Sequence, residues 1–132
     1  EISQATEFID TKNDKYKSEI AQGGSNVSGG QKQRLSIARA IAKDPEIFVF
    51  DDSFSALDYK TDAKLRTALS EKTQNKTVTI VAQRINTVLN ADQIIVLDDG
   101  KIAGKGTHKE LMQNCEVYKQ IALSQLSAEE LE

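Results

Sequence analysis

Four short stretches hold residue types that handle phosphate and water. The first is Val27-Ser28-Gly29-Gly30-Gln31. Ser-x-x-Gln is a capping box, and a cap alone would account for Ser28 and Gln31. It does not account for glycines at the first two helical positions, each of which costs roughly 1 kcal/mol against alanine in a helix interior. Glycine is tolerated where a backbone must approach something closely, and a helix start with bare amides and a hydroxyl is an anion site. A plain cap and a phosphate contact both fit these residues. The second stretch is Ile47-Phe48-Val49-Phe50-Asp51-Asp52, an apolar run ending in two carboxylates. Ligands of open α/β sheets bind beyond the carboxyl ends of strands, and carboxylate oxygens there suit hydrated Mg²⁺. A polar strand end that merely begins a loop reads the same way. Ser55-Ala56-Leu57-Asp58 is by itself a helix N-cap, and Val81-Ala82-Gln83-Arg84 by itself only ends a strand.

The elements that must position these groups alternate. Residues 1–10 read as the end of an amphipathic helix through Ile2, Ala5, Phe8 and Ile9, and residues 11–27 as a loop punctuated by Gly23 and Gly24. The helix after Ser28 carries Leu35, Ala38, Ile41 and Ala42 on one face and must stop at Asp44-Pro45, because the residue before proline disfavours helix. Ile47–Phe50 is continuous enough for a strand buried on both sheet faces. A helix after Asp58 turns Leu65, Ala68 and Leu69 inward, and Thr77–Val81 is a β-branched strand. Ile94–Leu97, Asp99-Gly100 and Ile102–Ala103 form a hairpin. Thr107 and Glu110 cap a last helix, with His108 expected on its surface and Ser127–Glu132 expected to fray. Strands alternating with helices indicate an α/β unit, a mainly parallel sheet flanked by helices with a late hairpin.

The bulk properties narrow the class. With 39% hydrophobic residues a core can form, and a net charge of −3 lacks the basic excess of a dedicated nucleic-acid binder, so no nucleic acid is expected as a partner. Cys115 is the single cysteine, so no internal disulfide can form. No apolar run approaches the roughly 18 residues of a membrane span.

In this order and spacing, the four stretches resemble the ABC (ATP-binding cassette) transporter ATPase domains, P-loop NTPases, of the exporter type. Ser28–Gln31 matches the signature loop, with Val27 where leucine is usual, and Gln33-Arg34 and Ala38-Arg39-Ala40 also match. Ile47–Asp51 matches the Walker B strand, Ser55–Asp58 the D-loop and Thr79–Arg84 the switch strand. Asp99–Ile102 with Gly106–Leu111 looks like the C-terminal hairpin and helix of exporters. The resemblance covers about residues 18–123. It implies that residues 1–44 belong to the helical subdomain with the signature, and residues 45–132 to the C-terminal part of the RecA-like ATPase core.

No G-x-x-x-x-G-K-[ST] is present, and that loop cradles phosphates. This sequence by itself is therefore expected to bind ATP weakly and to be inactive. Its parallel sheet should expose an edge and an apolar face, with self-association or marginal stability as the result.

Two positions depart from the family. Asp52 stands where Glu usually acts as the general base, one methylene shorter, and a base must sit within hydrogen-bond reach. Gln83 stands where His is usual, an amide that can bond a γ-phosphate without an imidazole's charge. Asp51 keeps the Mg²⁺-side carboxylate. In the family two ATPase domains sandwich each ATP between one domain's P-loop, Walker B and switch, and the other's signature. The resemblance thus implies one half of a heterodimeric exporter. Its cofactors would be ATP and Mg²⁺, and a transmembrane domain would lie in the same parent chain, placing this part on the cytoplasmic face of the cell membrane. Asp52 and Gln83 would serve a hydrolytically degenerate site of its own. Ser28, Gly29, Gly30, Gln31 and Asp58 would contact the nucleotide at the interface, the signature loop serving the partner's site. The rival readings are a soluble ABC-type ATPase of DNA repair or translation, and a non-enzymatic interaction module.

Overall fold

The computed structural model describes residues 1–126; the tail from Ser127 lies outside them. The chain forms two compact units, Glu1–Val81 and a second from Ala82 onward.

In the first unit, α1 (Thr6–Asp10) is shorter than the apolar periodicity indicates. Residues 1–4 form a turn in which Gln4 sits at φ 56°, and that left-handed residue ends any helix running back from Thr6. Arg34 holds the segment down, its Nη1 donating to the Gln4 carbonyl at 2.8 Å and its guanidinium lying 4.9 Å from the centre of the Phe8 ring. Helix α2 (Gly29–Ala42) starts at the expected cap and ends before Asp44-Pro45. Its buried residue is Ile37, with Ala40 and Ile41 packed beside it, while Ala42 is exposed. The inward face is therefore turned from the one the spacing indicates.

Strand β1 (Ile47–Asp51) pairs in parallel with β2 (Thr77–Val81), Ile47 opposite Thr77 and Asp51 opposite Val81. Between them runs α3 (Tyr59–Lys72), capped by Asp58. One face of the strand pair covers a core of Ile37, Phe48, Phe50, Phe54, Leu57, Leu65 and Leu69. Phe48 and Phe50 stack with ring centres 5.7 Å apart. The expectation that β1 is buried on both faces does not hold. Successive side chains of a strand point to opposite faces, and Ile47 and Val49 are 61% and 67% exposed. The apolar run is real, but among the described residues only its Phe48–Phe50 side is covered.

Leu65 is fully buried in this core. Leu65→Ala is expected to destabilise the fold by about 2–5 kcal/mol, read as a fall in the urea midpoint of unfolding. A shift no larger than that of the exposed Lys64→Ala would contradict this placement.

The second unit contains α4 (Ile85–Val88), the antiparallel hairpin β3 (Ile94–Asp98) and β4 (Lys101–Gly106), α5 (His108–Asn114) and α6 (Glu116–Gln125). Asp99 and Gly100 lie at φ 45° and 72°, the two left-handed positions of the tight turn that Asp-Gly favours. Thr107 and Glu110 form the expected capping box of α5. The single last helix is in fact two, broken at Cys115, whose backbone is extended. His108 is not merely a surface residue. Its Nδ1 lies 2.8 Å from the hydroxyl of Tyr118, which is buried in a core with Ile85, Ile94, Val96, Leu111 and Ala122. Burial pushes the Tyr118 hydroxyl's pKa up.

Candidate functional site

The capping reading of Ser28 holds in full. Ser28 Oγ accepts from the Gln31 amide at 3.2 Å, and the Ser28 amide donates to Gln31 Oε1 at 3.0 Å. The amides of Gly29 and Gly30 open the helix with no carbonyl four residues back to receive them. They border a cavity of about 390 Å³ lined by Ser28–Gly30, Arg34, the 56–58 loop and Thr61. The cap therefore leaves the helix start open to the cavity. Ser28 Oγ accepts the cap bond, and a hydroxyl still has its own proton to donate.

The start of α3 meets the same cavity. Asp58 Oδ1 accepts from the Thr61 amide at 3.0 Å, and the Thr61 hydrogen bonds, through its side chain and then its backbone, hold the Asp58 carboxyl below the usual range. Asp58 thus fills the N-terminal end of its own helix with negative charge. Helix α2 has no acidic residue in its first turn, so of the two helix starts it is the one left to an outside anion.

Gly30 has a second reason to be glycine. A Cβ there would lie 2.8 Å from the Ala56 carbonyl oxygen, whereas a Cβ on Gly29 would meet only the Ala56 methyl at 3.6 Å. The close approach required of Gly30 is to this chain's own loop. Gly30→Ala is expected to destabilise by about 1–3 kcal/mol, the usual cost of overpacking, while Gly29→Ala is tolerated. Equal losses in the melting midpoints of the two variants would contradict the packing described.

Asp51 and Asp52 lie at the carboxyl end of β1 with both side chains exposed. Asp52 is left-handed at φ 46°, its amide donating to the Val81 carbonyl at 3.1 Å. Aspartate enters that conformation more readily than most residues, so its presence has a backbone reason as well as a chemical one. Among the described residues no three or more His, Cys, Asp or Glu side chains cluster as a metal site. Mg²⁺ needs no such cluster, since it is held by one or two carboxylates with water and substrate phosphates. The hard, exposed oxygens of Asp51 fit it.

The carboxamide of Gln33 ties α2 to this loop. Nε2 donates to the Asp52 carbonyl and to Ser55 Oγ, both at 3.0 Å, and Oε1 accepts from the Ala56 amide at 3.0 Å. Sequence reasoning noted Gln33 only as a match. Bonds to positions 19, 22 and 23 residues away leave no local signal.

Gln83 belongs to the second unit, with its side chain exposed. There Gln125 grips the segment, its Nε2 donating to the Gln83 carbonyl at 2.9 Å and its Oε1 accepting from the Ile85 amide at 2.9 Å. Gln125 was likewise invisible from the sequence.

A parallel strand pair with two carboxylates at the end of β1, beside a capped helix start that opens on a cavity, defines an α/β domain with a candidate anion site. The profile described as "ABC transporter" matches residues 1–55, which include Ser28–Gln31, Asp51 and Asp52. An ABC transporter ATP-binding protein of Mycobacterium tuberculosis is 48% identical over 124 residues, 94% of this chain and 21% of that protein. The ATP-dependent lipid A-core flippase of Vibrio vulnificus is 38% identical over 121 residues, 92% of this chain and 21% of the flippase. A bacterial Atm1-family ABC exporter solved with ATP bound superposes with a TM-score of 0.90 at 32% identity, over 96% of this chain and 22% of the exporter chain. The chain belongs to the ABC transporter ATPase family. It spans about a fifth of the length of the relatives it matches.

Proposed function

We propose that this chain is part of an ATP-binding subunit of an ABC exporter, in which ATP binding and hydrolysis at an interface between two ATPase domains drive transport across a membrane. The observation that carries this reading is the start of α2. Its glycine amides and Ser28 border a cavity and are left to an outside anion, in a chain of this family. The parent would join it to a transmembrane domain and hold it at the cytoplasmic face; no described helix is long and apolar enough to cross a membrane. Residues 1–44 would supply the signature, and residues 45–132 the Walker B strand, D-loop, switch and C-terminal helix.

The two ends of the site divide the work. Ser28, Gly29, Gly30 and Gln31, with Asp58 beside them, would meet ATP held by a second ATPase domain. Helix amides and a hydroxyl stabilise charge on a phosphoryl group as it transfers. Asp51, Asp52 and Gln83 would serve this chain's own ATP. Asp51 would hold Mg²⁺, which offsets phosphate charge when bound. Asp52 is a short base, and Gln83 can bond a phosphate oxygen without carrying charge. That site binds and hydrolyses slowly, while the partner's site, completed by this chain's signature, turns over. The partner is therefore a different chain with its own intact base. ATP turnover by the assembled parent, with Ser28 replaced in this subunit alone, tests the reading. Unchanged turnover would overturn it.

A further inference from the structure

The Gln33 carboxamide uses both its donor and its acceptor face on one loop, bonding the Asp52 carbonyl, Ser55 Oγ and the Ala56 amide. Three residues earlier on the same helix, Gly30 lets the Ala56 carbonyl come close enough to exclude a Cβ. The loop is thus fixed to α2 at two levels. At one end it carries Asp52, whose left-handed backbone is pinned by the Val81 carbonyl and by Gln33. At the other it lines the cavity at the start of α2. No other side-chain type reproduces the bonding except a carboxamide of this length. Glutamate keeps an acceptor but loses both donors, and leucine keeps only the bulk.

We propose that Gln33 is a positioning residue for ATP hydrolysis, holding the Asp52–Asp58 loop in register with the helix start that faces the partner's nucleotide. This rests on the function proposed above. A loop that shifts by a fraction of an ångström leaves ground-state binding largely intact and misplaces the transition-state contacts. The signature arm therefore slows the chemical step when Gln33 is lost.

The test uses the full-length parent assembled with its partner, carrying Gln33→Leu or Gln33→Glu in this subunit, alone and combined with Ser28→Ala. Gln33→Leu is expected to lower kcat about tenfold, the equivalent of a lost hydrogen bond's net worth, with KM held within about twofold. The melting midpoint should move by no more than about 3 °C, because the freed loop groups are largely exposed to water. Gln33→Glu, which keeps size and polarity, is expected to lose kcat to a similar degree. Adding Gln33→Leu to Ser28→Ala should cost less than the product of the two single losses, since both act on the partner's site. Unchanged kcat in both Gln33 variants, with Ser28→Ala still impaired, would overturn this inference and leave the function standing. A kcat loss matched by loss of folded protein would overturn it too, reducing Gln33 to a structural tie. If neither Ser28 nor Gln33 variants slow turnover, the functional reading itself falls.

Discussion

Ser28→Ala in this subunit alone is expected to reduce ATP turnover by the assembled transporter about 10²–10³-fold, the loss that follows removal of one preorganised transition-state donor. The hydroxyl also caps α2, and losing a cap costs about 0.5–2 kcal/mol of stability. Ser28→Asp separates the two roles. Aspartate caps a helix as well as serine does, so the fold should be kept. Its charge faces the phosphate, so turnover should be lost as completely as in Ser28→Ala. Thermal melting beside steady-state ATPase distinguishes them: Ser28→Asp melting like the wild type and hydrolysing like Ser28→Ala is the expected pair of results. Full activity in Ser28→Asp would mean that no phosphate approaches the start of α2. Gly30 is a poorer probe, because its substitution also strikes the Ala56 carbonyl of the chain's own loop.

The second large effect is a gain. Under the proposed function, Ser28→Ala silences the partner's site, and what remains is turnover at this chain's own ATP. Adding Asp52→Glu and Gln83→His is expected to raise that residual rate about 10²-fold, the lower part of the range a positioned general base contributes. The lower part applies because Asp52 already offers a carboxylate, only one methylene short. The left-handed backbone of residue 52 opposes the change slightly, since glutamate enters that conformation less readily than aspartate. Gln125 and Gln33 hold the two backbones through carbonyl and amide groups, which substitution at 52 or 83 leaves in place. A residual rate that stays flat would place the cause of slow hydrolysis outside these two side chains.

Where an element's boundary is decided by a few adjacent residues, the sequence showed it. The Ser28–Gln31 and Thr107–Glu110 capping boxes, the Asp58 cap, the stop before Pro45 and the Asp99-Gly100 turn all stand as expected. What depends on partners distant in the chain was hidden. Ile47 and Val49 look as apolar as Phe48 and Phe50, and only the layer packed on each side decides which are buried. The inward face of α2 settles on Ile37 because that residue joins the core that holds the phenylalanines of β1. Cys115 breaks the last helix where no glycine or proline marks a break. The site was legible as residue types but not as a wiring. Ser28, Gly30 and Asp58 were picked for their chemistry, and they do border one cavity. That Gln33 and Gln125 anchor the two loops, and that Gly30 is needed by Ala56, follows from backbone geometry that spacing does not carry.

The central claim is asymmetry, and one comparison tests it directly: steady-state ATPase of the assembled transporter with Ser28→Ala or with Asp52→Asn, each in this subunit alone. In the proposed function the two substitutions strike different arms of the site, one meeting the partner's ATP and the other this chain's own. Removing the base from a site that contributes little flux should leave most of the turnover. Removing a donor from the site that fires should remove nearly all of it, about 10²–10³-fold. Equal losses from the two variants would mean that both sites fire alike, and the account of a degenerate site completed by a working partner would be contradicted.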